Sequence, residues 1–246
     1  MCIICLGKEY ILEKKIRKIE EVCQGVLAIP TLPKVKKIIC ANTRVVSISH
    51  QPDLEYLDCS GCINLKNLPR VDPDEGSSEP EEKETPKRKE TRRKNYSLRY
   101  LDCSKTNITE IPEYNNLIEI DCSHCPVLQG IINLPNLRRV LCWKSSNMAV
   151  LSNLPNLRML VIMASDGLKM LQNLPSLRDL TCSYCKELKF VKGVPILQEI
   201  SCVGCVKLTH INEFEIATQK REIENLLISN NEEINKYLIA PIKLRL

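Results

Sequence analysis

The residues whose type and spacing could do chemistry are thiols. Cysteine occurs 14 times in 246 residues. Five pairs have the Cys-x-x-Cys spacing: Cys2/Cys5, Cys59/Cys62, Cys122/Cys125, Cys182/Cys185 and Cys202/Cys205. Two such pairs side by side are an ordinary zinc ligand set, because a tight turn lets both thiolates reach one tetrahedral ion. Cys182, Cys185, Cys202 and Cys205 form the best metal candidate on this logic, since stacked strands would lie about 4.8 Å apart. Catalytic chemistry has less to work with. His50, His124 and His210 sit in no nucleophile or metal motif, and there is no Gly-rich phosphate loop, GxSxG or HExxH. The chain therefore reads as non-enzymatic, with no cofactor and no small-molecule substrate.

A repeat must position these thiols. Residues 116–215 read one line five times, and the column Cys122, Cys142, Ile162, Cys182 and Cys202 advances by 20 each time. The shared pattern is L-x-x-L-x-C-x-x-(C/S)-x-x-L-x-x-(L/I/V)-x-x-(L/V/F), usually followed by Pro. Leu177, Leu180 and Cys182 share one face of a short strand. Leu188, Val191 and Val194 recur every third residue, which predicts an irregular or 3₁₀-like return segment. One coil cannot bury its apolar side alone, whereas a stack buries every apolar column in a continuous core. The repeat thus explains the spacing of four of the Cys-x-x-Cys pairs without a metal. Other copies fill the same columns with Ile162, Thr106 and Ser165, which are poor ligands. The cysteines read as reduced, small apolar core residues.

Outside those five copies the pattern continues. Val35, Ile38, Cys40, Thr43, Val45 and Ile48 form one coil. Leu54, Leu57, Cys59, Cys62, Leu65 and Leu68 form the next, and Leu98, Leu101, Cys103, Thr106, Ile108 and Ile111 another. About eight strand-bearing coils result. Residues 1–21 depart from the repeat. Leu12, Ile16, Ile19 and Cys23 have helical spacing, which predicts an N-terminal helical cap over the first coil. Residues 22–71 and 96–215 are the coils. Residues 72–95 contain no apolar residue, run from acidic to basic, and predict a disordered insertion whose ends lie close together. Residues 216–246 predict a C-terminal helical cap and tail.

L-x-x-L-x-C-x-x-C-x-x-L at Leu54–Leu65 and L-x-x-L-x-C-x-x-T-x-I at Leu98–Ile108 resemble leucine-rich repeats, at the short end of that family's period. The Leu-Pro-Asn-Leu joint is similar to short-repeat bacterial effectors, and Cys-rich copies such as LRDLTCSYCKELKFV look most like repeat proteins of large DNA viruses. The resemblance covers roughly residues 22–215. It implies an α/β-type horseshoe solenoid with a curved parallel sheet on its concave side. It also implies a polar ladder at the ninth position of each coil. Here that column is Thr43, Cys62, Thr106, Cys125, Ser145, Ser165, Cys185 and Cys205, and the family's usual Asn is missing from it. The about thirty residues after the repeats are too few for the ligase domain that such effectors carry. Cys2/Cys5 resembles the opening of a RING-type finger whose other ligands are missing.

Composition narrows the setting. The net charge is +5, and the run Lys87-Arg88-Lys89 with Arg92-Arg93-Lys94 supplies much of it. Acidic residues precede that run and no aromatic interrupts it, so a nucleic-acid partner is the weaker reading. No window of about 18 apolar residues predicts a membrane span. The apolar opening Met1–Leu6 has no basic leader, so an intracellular, cytoplasmic location is expected, in a host cytoplasm or a virus particle if the protein is viral.

The outward strand columns carry the candidate binding site. Tyr56, Asp58, Tyr100, Asp102 and Asp121 form an acidic, tyrosine-lined half, Leu141, Trp143, Met159, Val161 and Met163 form an apolar centre, and Arg139 stands in the same outward columns. Outward aromatics and methionines on a rigid sheet are anchors for a partner protein, and the aspartates would steer a basic-plus-apolar surface towards them. The alternative is a structural, virion-associated scaffold that touches its neighbours through its ends.

Overall fold

The computed structural model describes residues 2–7, 11, 14–70, 97–211 and 214–215. Its main element is a nine-stranded parallel sheet with one strand from each successive coil. In order the strands are Lys18–Ile19, Lys37–Ile39, Tyr56–Asp58, Tyr100–Asp102, Glu119–Asp121, Arg139–Trp143, Met159–Met163, Asp179–Thr181 and Glu199–Ser201. One residue of every strand faces inward, and these residues meet in register: Ile19, Ile38, Leu57, Leu101, Ile120, Val140, Leu160, Leu180 and Ile200. All but the last are buried. Each such aliphatic side chain contributes about 1.5–3 kcal/mol by leaving water, and only the neighbouring coils make that burial possible. Tyr56–Asp58 pairs directly with Tyr100–Asp102, so the coils on either side of the insertion stack without a gap. The insertion at 72–95 and the C-terminal cap at 216–246 lie outside the described residues.

Among the described residues, the helix expected through Ile16, Ile19 and Cys23 does not form. Lys18–Ile19 is a strand paired with Lys37–Ile39, and Ala28–Ile29 pairs with Ser47–Ile48. Ile16 and Ile19 are the opening L-x-x-L of one more coil, 19 residues ahead of Val35 and Ile38. A three-residue spacing suits a helix face and a repeat opening equally, and the free edge of the next strand decides the outcome. Ile3–Leu6 forms one 3₁₀ turn, closed by Gly7 in the left-handed region at φ 94°.

Several return segments are also strands, although those after Cys62 and Thr106 are not. Gly130–Ile132 pairs with Val150–Ser152, and Met170–Gln172, Phe190–Lys192 and His210–Ile211 run side by side. Phe214–Glu215 adds antiparallel to the last of these. The spacing of three arises because only the middle apolar residue lies in a strand. Ile131 and Val191 are strand centres, while their partners Leu128, Leu134, Leu188 and Val194 sit in the turns on either side. Asn133, Asn153 and Asn173, with Gly193 in the same column, form one corner at φ between 55° and 66°. The fold is thus a parallel β-solenoid with almost no helix among the described residues, and its α/β character is not upheld. A horseshoe needs a return segment wider than a strand.

A second left-handed corner follows every strand of the long sheet from the second coil onward. It consists of Asn42, Gly61, Lys105, His124, Lys144, Ala164, Tyr184 and Gly204. The ninth-position ladder comes directly after it and reaches between coils. The Cys62 thiol donates to the Cys40 carbonyl at 3.0 Å, Cys125 to Cys103 at 3.1 Å and Cys205 to Cys182 at 2.8 Å. The Ser145 hydroxyl donates to the Cys122 carbonyl at 2.9 Å. All 14 cysteines are free thiols.

Candidate functional site

Two kinds of coil stand out on the outward face of the long sheet, while Ile39, Thr181 and Ser201 fill the same column in others. In the first kind, Asp58, Asp102 and Asp121 stand in register on neighbouring strands. Each carboxylate accepts a backbone N–H two residues on. The donors are Ser60 at 3.0 Å, Ser104 at 3.0 Å and Ser123 at 2.9 Å. This local turn ends each strand at its aspartate, because the serine N–H is no longer free for the sheet. The carbonyl it would have taken is satisfied by the ladder instead: Cys40 by Cys62, and Cys103 by Cys125. The aspartates therefore have a structural role that the sequence reading missed. Its signal was the repeated Asp-Cys-Ser at 58–60, 102–104 and 121–123.

Like charges at strand spacing are unfavourable. Burial, followed by the charge of Asp121, pushes the Asp102 carboxyl up from 3.8 to about 6. Asp121 is also raised, by burial above all, while the Ser123 hydrogen bonds, His124 and Arg139 pull it back. Tyr56 is pushed up to about 12 by burial and by Asp58 and Asp102. Tyr100 pairs with Tyr56 in register, and the Lys37 ammonium lies 5.3 Å from the Tyr56 ring centre.

In the second kind of coil the same column holds Leu141 and Val161. No carboxylate competes for the next N–H, and the strands run on for five residues, pairing Cys142 with Ile162 and Trp143 with Met163. Here the expectation of an exposed apolar centre needs correction. Leu141 is 4% exposed and Val161 6%. Alternation turns them away from the core, and their column lies between that of Arg139 and Met159 and that of Trp143 and Met163. Those four are half-buried. Trp143 lies beside His124, with ring centres 6.3 Å apart. The Arg139 Nε is buried without a hydrogen-bond partner among the described residues. Large exposed apolar side chains occur elsewhere, with Ile132, Val150 and Met170 on the back flank and Ile63, Val127 and Val206 in turns.

The metal candidate from the last two coils does not assemble. No three of Cys182, Cys185, Cys202 and Cys205 bring their sulfurs within 4.8 Å of one another. Cys182 is buried, and Cys205 donates to its carbonyl. Among the described residues, the group of three that does converge is Cys2, Cys5 and Cys23.

Comparison with known proteins adds one similarity. Over 137 residues, 53% of this chain, the sequence is 24% identical to "Disease resistance protein RPP5" of Arabidopsis thaliana. The chain spans 8% of the length of that protein. This similarity and the parallel-strand solenoid fit a repeat of the leucine-rich type. No family model matches the chain, and no solved structure matches it.

Proposed function

We propose that this protein is a non-enzymatic interaction module that binds a partner protein through the outward face of the long sheet. The observation that carries this reading is the registered stack Asp58, Asp102 and Asp121. Three carboxylates held this close are unfavourable in the free protein, and a cationic partner surface would relieve them. Beside them, Tyr56 and Tyr100 give aromatic area. Trp143, Met159 and Met163 offer the anchor, with Leu141 and Val161 beneath as a firm floor. The partner is a protein with a basic and apolar surface, rather than a nucleic acid, a membrane or a small molecule. The setting is intracellular and cytoplasmic, a host cytoplasm or a virus particle if the protein is viral, and the fourteen free thiols support a reducing compartment.

Affinity purification from the native cell, followed by mass spectrometry, tests the proposal. A partner held by this face is recovered with the wild type and lost with the double variant Trp143→Ala, Met163→Ala. It is recovered less at high salt. Replacing Asp58, Asp102 and Asp121 together by Asn slows its association. Binding that persists through all of these substitutions rules out this face. Binding lost only on deletion of residues 2–21 or 216–246 favours a scaffold that works through its ends.

A further inference from the structure

Three thiols stand apart from the rest. The other cysteines line the coils, and nine of them are buried. Several of those donate to backbone carbonyls of a neighbouring coil, as Cys59 does to Asp102 and Cys103 to Asp121. Cys2, Cys5 and Cys23 are half-buried, exposed and half-buried respectively, and their sulfurs face one another. The Cys5 and Cys23 sulfurs are 3.3 Å apart, those of Cys2 and Cys5 are 3.6 Å apart, and all three lie within 4.8 Å. Thiolates on one tetrahedral zinc, each about 2.3 Å from the ion, lie about 3.8 Å from one another. The observed triangle is close to that size.

Backbone and packing hold the three in place. Cys2 and Cys5 flank a tight turn closed by the Cys5 N–H donating to the Cys2 carbonyl at 3.0 Å, the shape a chelating Cys-x-x-Cys pair requires. Ile4 is buried and anchors the turn on the solenoid core. Cys23 comes from the first coil, at the corner position that Asn42, Gly61 and Lys105 occupy in the coils that follow. The repeat requires no thiol there.

We propose that Cys2, Cys5 and Cys23 bind a zinc ion, which pins the N-terminal turn to the first coil and so closes that end of the stack. Soft thiolates select zinc over hard cations such as magnesium or calcium. Binding releases the thiol protons to solvent. The fourth coordination position, on the side of the exposed Cys5, takes a water molecule or a ligand from outside these three.

The test uses the full chain, reduced and stripped with a chelator, then titrated with cobalt(II) and afterwards with zinc(II). The expected result is one equivalent of cobalt with a thiolate-to-metal charge-transfer band, displaced by zinc, and slower hydrogen exchange in residues 2–7 and 22–24 of the zinc form. Cys5→Ser and Cys23→Ser each abolish the band, while Cys182→Ser and Cys205→Ser keep it. Circular dichroism confirms that each variant retains the strands, which is expected for Cys5→Ser because that residue lies outside the coils. A wild-type chain with no band overturns the proposal, as does a band that survives Cys23→Ser. A Cys5–Cys23 disulfide recovered from cells lysed in alkylating reagent overturns it too.

Discussion

Coils with Asp58, Asp102 and Asp121 and coils with Leu141 and Val161 share one backbone path and one register, yet they end their strands differently. A carboxylate in the fifth position captures the N–H two residues on and stops the strand. With Leu141 and Val161 there, pairing continues to Trp143 and Met163, whereas Ile39, which pairs with Asp58, ends its strand as the aspartates do. The solenoid therefore tolerates two surfaces on one scaffold. One is charged, with short strands and its inter-coil carbonyls handed to thiols. The other is apolar, with longer strands and buried column residues.

Exchanging the two kinds of residue gives the largest expected effect. Val161→Asp places a carboxylate in a buried column between Leu141 and Thr181. It should cost about 3 kcal/mol or more and unpair Trp143 from Met163. Urea unfolding checks the first effect and hydrogen exchange at Met163 the second. An effect below about 1 kcal/mol would mean that the two halves are interchangeable.

Next comes pH. Asp102 has a folded-state value of about 6, above its ordinary 3.8, so the folded chain holds its proton more tightly than the unfolded chain. Stability is then greatest below the unfolded value and declines as pH rises from about 4 to about 6. At about 1.4 kcal/mol per pH unit, the decline reaches at most about 3 kcal/mol. Asp102→Asn keeps an oxygen for the Ser104 N–H and should remove most of this slope, as read from urea midpoints across that range. The same pH series on Val161→Leu should match the wild type.

The smallest effect concerns the ladder. The Ser145 hydroxyl donates to the Cys122 carbonyl and accepts the Cys125 N–H, whereas Ser165 donates to the Met163 carbonyl two residues before it. Ser145→Ala should cost about 1–2 kcal/mol, and Ser165→Ala less than about 0.5 kcal/mol. Thermal unfolding of the two variants, side by side, checks the ranking.

The sequence carried the stack itself well. Cys122, Cys142, Ile162, Cys182 and Cys202 are buried in one column or at its edge, as their period requires. What it did not carry had physical causes. Ile16 and Ile19 fit a helix and a coil equally, and only the free strand edge chose between them. Leu188, Val191 and Val194 looked turn-like because corner residues and strand centres share a spacing of three. Leu141 and Val161 point outward as alternation demands, yet both are buried, because alternation encodes direction and not exposure. Cys23 meets Cys2 and Cys5 through tertiary placement that no local spacing records.

The claim on which the functional reading rests is that the aspartate stack is electrostatically strained in the free protein. A carboxyl-carbon NMR titration of Asp102, in the wild type and in Asp121→Asn, measures this directly. The account predicts a midpoint near 6 in the wild type and a lower one once Asp121 loses its charge. An ordinary midpoint near 4, unchanged by Asp121→Asn, would contradict it.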